Sequence, residues 1–126
     1  MKKINLNGYY GAKYYMTDDI IPLMPEHEIY LEPCLGGGSI LLSHPRSPVE
    51  IGNDLDSNLA NLYSVLADRE KGKELQERLF RLPFDEEMFK EVKSVYKNCL
   101  NEYSEMDCAV FAYVMLSQSF NAVQKN

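Results

Sequence analysis

The sequence predicts an α/β fold: the opening strands of an open parallel sheet, followed by a mostly helical segment. Three observations carry this. Two short apolar runs, Ile29-Tyr30-Leu31 and Val49-Glu50-Ile51, flank a glycine-rich turn. Five of the seven glycines and five of the six prolines fall between Tyr10 and Asp56, so that stretch reads as short elements joined by tight turns. Beyond Asp56 the apolar residues change to a helical period. The change divides the 126 residues into segments 1–56 and 57–126, within a length that suits one compact domain.

In the first segment, Thr17 to Ile21 suits a helix, limited by Pro22 and Pro25. Ile29-Tyr30-Leu31 reads as a buried parallel strand that stops at Glu32-Pro33. Ser39 to Leu42 suits a brief helix ended by His44-Pro45, and Val49 to Gly52 a second strand. In the second segment Leu55, Leu59, Leu62, Tyr63 and Leu66 form one helical stripe, capped by Asp56 or Ser57. A polar helix is expected from about Lys73 to Leu82, before Pro83. Asp85 then caps a long helix with Met88, Phe89, Val92, Val95, Tyr96, Cys99, Leu100 and Tyr103 on its buried face. A last helix is expected from Glu105 to Phe120. Two parallel strands make a poor sheet, because each needs both faces covered, so the pattern reads as part of a larger fold.

Composition narrows the setting. Lys and Arg number 13 against 19 Asp and Glu, a formal charge of -6, which argues against a small protein held to nucleic acid by a basic surface. Cys34, Cys99 and Cys108 show neither CxxC spacing nor a disulfide-dense pattern. They read as small apolar fillers in a reducing, cytoplasmic compartment. With no apolar run near ~20 residues and no signal peptide behind Lys2-Lys3, the chain is expected to be soluble and intracellular.

The sharpest motif is Leu31-Glu32-Pro33-Cys34-Leu35-Gly36-Gly37-Gly38-Ser39, a turn between strand and helix. Glycines there allow a tight reversal and a close approach of ligand to backbone N–H groups. The same pattern also occurs as a plain turn. It fits neither the P-loop nor GxGxxG. Asp54 falls at the carboxyl end of the second strand. In open α/β sheets such an acid accepts hydrogen bonds from the ribose of a nucleoside lying across the loop. The structural alternative is a helix cap. Tyr9-Tyr10-Gly11-Ala12-Lys13 offers aromatics and a cation, suited to a flat, carboxylate-bearing ligand or to ordinary packing.

Together, Tyr-x-Gly-x-Lys, Glu-Pro-x-x-Gly-x-Gly-Ser and Asn53-Asp54 resemble the DNA adenine-N6 methyltransferases of the Dam type. The resemblance runs from Tyr9 to about Asn126, and Ser117 to Ala122 looks like the stretch leading into that family's target-recognition insert. It implies the N-terminal part of a Rossmann-like methyltransferase fold, with S-adenosyl-L-methionine as cofactor and double-stranded DNA as substrate. Tyr9 and Lys13 would line the methionine end, and the backbone from Cys34 through Gly36 and Gly37 to Gly38 would wrap the centre. Asp54 would hold the ribose. Tyr10, Pro33, Ser39 and Leu55 complete the implied set. Glu32 would either meet the cofactor amino group or fix the loop. Cys34 stands where the family has Phe, which alters one apolar wall.

The family transfers its methyl group with an Asp-Pro-Pro-Tyr tetrapeptide, which holds the N6 amino group and stacks on a flipped adenine. Neither it nor Asn-Pro-Pro occurs here, so no catalytic residue is assigned and transfer is expected only if a missing C-terminal half is supplied. A second chain or homo-oligomer completing the sheet is one route. The rival reading is an inactive remnant that serves as a helical interaction module, its acidic charge and sheet edges favouring self-association or a protein partner. A nicotinamide-type Rossmann enzyme is disfavoured by the glycine spacing. His27 and His44 lack zinc-ligand spacing and are expected at the surface. Ser39 and Ser43 lack a nucleophile-elbow context. Lys90, Lys93 and Lys97 either touch phosphate or form a solvated face with Glu86 and Glu87.

Overall fold

A computed structural model describes residues 3, 6, 11–83 and 85–118. The chain forms two compact units, Met1–Leu55 and Asp56–Asn126.

The first unit begins with a tight helical turn, Lys13–Met16, that runs into α1, Thr17–Ile20. Pro22 lies in the first turn of a further 3-10 turn, Ile21–Leu23, where its ring and missing N–H tighten the chain. Strand β1, Ile29–Glu32, ends where Pro33 removes a ladder donor. Helix α2, Ser39–Ser43, crosses over to β2, Val49–Gly52. Among the described residues the sheet is this one parallel pair, in the register Ile29↔Val49 to Glu32↔Gly52.

Alternation sends Tyr30, Glu32 and Glu50 to one face and Ile29, Leu31, Val49 and Ile51 to the other. The first face carries α2: Glu32 accepts from the Leu41 N–H, and the Tyr30 ring lies 4.3 Å from that of His44. On the second, Ile29 and Leu31 are 62% and 57% exposed, Val49 and Ile51 46% and 47%. The expectation of a buried strand is therefore corrected: one face of this sheet is covered and the other is bare.

At the amino ends of the strands the histidine expectation also changes. His44 is buried, with neither ring nitrogen hydrogen-bonded, although Nε2 lies 3.4 Å from Glu50 Oε1. His27 is half-buried. Its Nδ1 donates to the Pro25 carbonyl (2.7 Å), so Nε2 accepts from the Ser47 hydroxyl (2.8 Å), tying together the segments that enter the two strands. Burial and then the Glu32 carboxylate push the Tyr30 phenol well above its usual range.

Among the described residues the regular structure of the second unit is helical: α3 (Ser57–Ala67), α4 (Arg69–Arg81), α5 (Glu86–Tyr96), α6 (Cys99–Glu102) and α7 (Glu105–Gln118). Aspartates start three of them. Asp56 accepts from the N–H groups of Asn58 and Leu59, Asp68 from Glu70 and Lys71, and Asp85 from Met88. Helix α7 lies centrally, packed by α3, α4 and α5, and it buries Cys108, Ala109, Val110, Ala112, Val114, Met115 and Leu116. A helix apolar around much of its circumference belongs in such a position. The helices around it bury Leu59, Leu62, Val65, Leu75, Val92 and Tyr96. Buried Asn58 donates to the Tyr96 carbonyl (3.0 Å) and accepts from the Cys99 thiol (3.2 Å), so its amide is satisfied within the core.

Several helical expectations shift. Leu55 precedes the cap and is 98% exposed, Leu66 is also exposed, and Val65 takes the inward position. Helix α4 starts earlier than Lys73 because Asp68 caps it. The long helix after Asp85 breaks at Lys97-Asn98, which leaves Leu100 and Tyr103 exposed. Asn is a weak helix former, and Asn98 adopts a non-helical backbone there. Lys90 pairs with Glu86 at 2.7 Å, as a solvated helix face does. Cys99 and Cys108 are buried, but Cys34 is exposed and fills no core.

Candidate functional site

The first unit builds a cleft where β1 turns into α2. After Glu32 the chain runs through Pro33 and Cys34 into three glycines. Gly36 (φ 53) and Gly38 (φ 66) take left-handed conformations that side-chain-bearing residues rarely adopt, and Gly38 directly precedes α2. The turn is closed by the Gly38 N–H donating to the Leu35 carbonyl at 2.9 Å.

The end of β2 is stitched to this turn by hydrogen bonds. Asn53 N donates to the Glu32 carbonyl (2.9 Å) and Leu35 N to the Asn53 carbonyl (2.9 Å). Asn53 Nδ2 donates to the Pro33 carbonyl at 3.1 Å. Finally, the Gly36 N–H donates to Asp54 Oδ2 at 2.9 Å. The glycine turn and the carboxylate that closes the second strand are thus in direct contact, at the same end of the sheet. Gly52 makes room for this: a Cβ there would come within 3.1 Å of the Leu35 side chain.

Glu32 is buried and does two things at once. Its Oε2 accepts from the Leu41 N–H (3.1 Å) and the Tyr30 hydroxyl (3.2 Å), fixing α2 over the sheet. Its Oε1 lies 3.5 Å from Lys13 Nζ, which also reaches the Cys34 carbonyl at 3.4 Å. A carboxylate and an ammonium therefore stand side by side on one wall.

The cleft has a volume of about 210 Å³. Of the residues expected from sequence, Lys13, Glu32, Cys34, Gly36, Gly37 and Ser39 line it. Pro33, Gly38 and Asp54 belong to the surrounding frame rather than to its wall. Leu55 projects into solvent. Tyr9 and Tyr10 lie outside the described residues, as does the stretch from Ser119. Gly11, Ala12 and Leu35, which the sequence placed only within the two motifs, also line the wall. Leu35 is the apolar residue inside the glycine turn, and that position was its available signal. The Ser39 Oγ is shut off from solvent and has no hydrogen bond.

The sequence profile of the D12 class N6 adenine-specific DNA methyltransferases matches residues 9–126. The chain belongs to this family. No curated protein sequence matches it significantly. The D12-class match takes in the glycine turn, the β2 terminus and every helix of the second unit. Among the described residues of this D12-class chain, no helix is long and apolar enough to cross a membrane.

Proposed function

We propose that the first unit of this D12-class chain binds S-adenosyl-L-methionine, and that the protein takes part in methylating adenine N6 in double-stranded DNA. The observation that carries the reading is the 2.9 Å hydrogen bond from Gly36 N–H to Asp54, which makes the glycine turn and the strand-end carboxylate one cradle. The donor set fits the cofactor. A zwitterionic amino-acid end needs an anion and a cation together, which Glu32 and Lys13 present. When bound, the cofactor supplies an electrophilic methyl group. The protein's residues orient it: Lys13 and Glu32 fix the charged end, the glycine backbone admits the centre closely, and Asp54 accepts from the ribose hydroxyls. Tyr9 and Tyr10 would add aromatic walls.

Without Asp-Pro-Pro-Tyr in the sequence, these residues bind and position but do not transfer. The family's transfer step needs that tetrapeptide, which is not among these residues. The bare face of β1 and β2 leaves room for covering elements, because parallel strands are ordinarily covered on both faces. The same face favours a second reading, an inactive remnant that associates through it with another copy or a protein partner. Calorimetric titration of the full chain with S-adenosylhomocysteine, with mass measured in solution alongside, separates the two. Saturable binding supports the first reading. A folded chain that gives no binding heat, and a stable oligomer indifferent to the ligand, would replace it with the second.

A further inference from the structure

Glu32 is the anionic half of the charged cleft wall, and its direction is set from outside that wall. The terminal torsion of a glutamate is broad and nearly two-fold, so a carboxylate has little direction of its own. Here Oε2 accepts from the Leu41 N–H at 3.1 Å and from the Tyr30 hydroxyl at 3.2 Å. Oε1 is left 3.5 Å from Lys13 Nζ. The Leu41 N–H belongs to the first turn of α2, where a helix supplies no acceptor of its own. One such bond is a pivot, whereas two on the same oxygen fix which way the carboxylate is turned.

Tyr30 is held so that it keeps donating. It precedes Glu32 by two residues on β1, so both side chains rise from the same face of the sheet. Its ring lies against that of buried His44 at the end of α2, with centroids 4.3 Å apart. Burial, and then the Glu32 carboxylate, hold the phenol well above its usual range, so the hydroxyl keeps its proton. Tyr30 is not among the described residues that line the cleft. It reaches a ligand there only through Glu32.

We propose that Tyr30 is a positioning residue that makes the cleft select ligands with a zwitterionic amino-acid end, by turning Glu32 so that Oε1 stands beside Lys13. This rests on the cofactor-binding reading above. Without the hydroxyl, Oε2 keeps only the Leu41 N–H, and the carboxylate swings about that bond. The anion and cation of the wall then lose their fixed spacing, and the ligand's ammonium loses its acceptor. The part of the cradle formed by Asp54 and the Gly36 N–H does not involve Tyr30. The loss is therefore confined to one end of the ligand.

The test compares the full wild-type chain with Tyr30→Phe by calorimetric titration of two ligands, with circular dichroism alongside. One ligand is S-adenosylhomocysteine. The other is methylthioadenosine, which shares the nucleoside and the thioether sulfur but has no amino-acid end. Tyr30→Phe should keep a native spectrum and bind S-adenosylhomocysteine at least about tenfold more weakly. Its affinity for methylthioadenosine should stay within about twofold of wild type. Unchanged affinity for S-adenosylhomocysteine overturns the positioning role alone. Equal losses for both ligands also overturn it, because a general loosening of the cleft gives that result, and so does a variant without a native spectrum. Absence of binding of either ligand by the wild-type chain overturns the cofactor reading and the positioning role together.

Discussion

The two units bury their residues in different ways. In the second unit order comes from apolar packing: α7 is surrounded, and Leu62, Val65, Leu75 and Val114 are almost completely removed from water. In the first, the apolar residues of both strands stand half in solvent. Beside buried Leu35 and Ile40, its order comes largely from polar connections. Glu32 holds α2 to the sheet, Asn53 and Asp54 hold the glycine turn, and the His27–Ser47 bond joins the strand entrances. The unit that carries the cleft therefore depends on hydrogen bonds made by the same residues that line or frame the cleft. Removing one of those groups alters fold and site together.

This contrast orders the expected effects of substitution. Leu62→Ala, in the wholly buried core of the second unit, should be the most damaging, at about 2–5 kcal/mol. Urea unfolding followed by circular dichroism checks it, and a loss below ~1 kcal/mol would mean that this core is looser than its burial implies. Next comes Glu32→Gln, which gives up the charge facing Lys13 and weakens the acceptor for Leu41 and Tyr30. It should cost about 1–3 kcal/mol and raise hydrogen exchange at the Leu41 amide. The smallest effect belongs to Leu31→Ala on the bare face, within about 0.5 kcal/mol. A larger cost there than for Glu32→Gln would reverse the comparison and show that something covers the face in solution.

Much of the scaffold was legible because its signals are local. Pro33 and Gly52 bracket where strands stop, and Asp56 and Asp85 cap helices through their own next turns, so each could be read from a few neighbouring residues. Burial was less legible because it depends on partners distant in sequence. Leu31 has the composition of an interior strand, yet no described element covers it. Leu55 continues the apolar spacing of α3 but precedes its cap, where the helical period no longer sets direction. His44 is buried because Tyr30 lies against it, a contact across the crossover that no local pattern announces. At the cleft, the separation of Gly36 and Asp54 suggested that both face one ligand. Only the fold shows that they bond to each other, and that Ser39 is left with a buried, unpaired hydroxyl.

The shared cradle is tested most directly by replacing Asp54 with Asn, which keeps an oxygen for the Gly36 N–H while removing the negative charge. Calorimetry with S-adenosylhomocysteine should show affinity reduced about tenfold or more, with the thermal unfolding midpoint nearly unchanged. Equal affinity in wild type and Asp54→Asn would contradict the account and leave Asp54 as a brace for the turn.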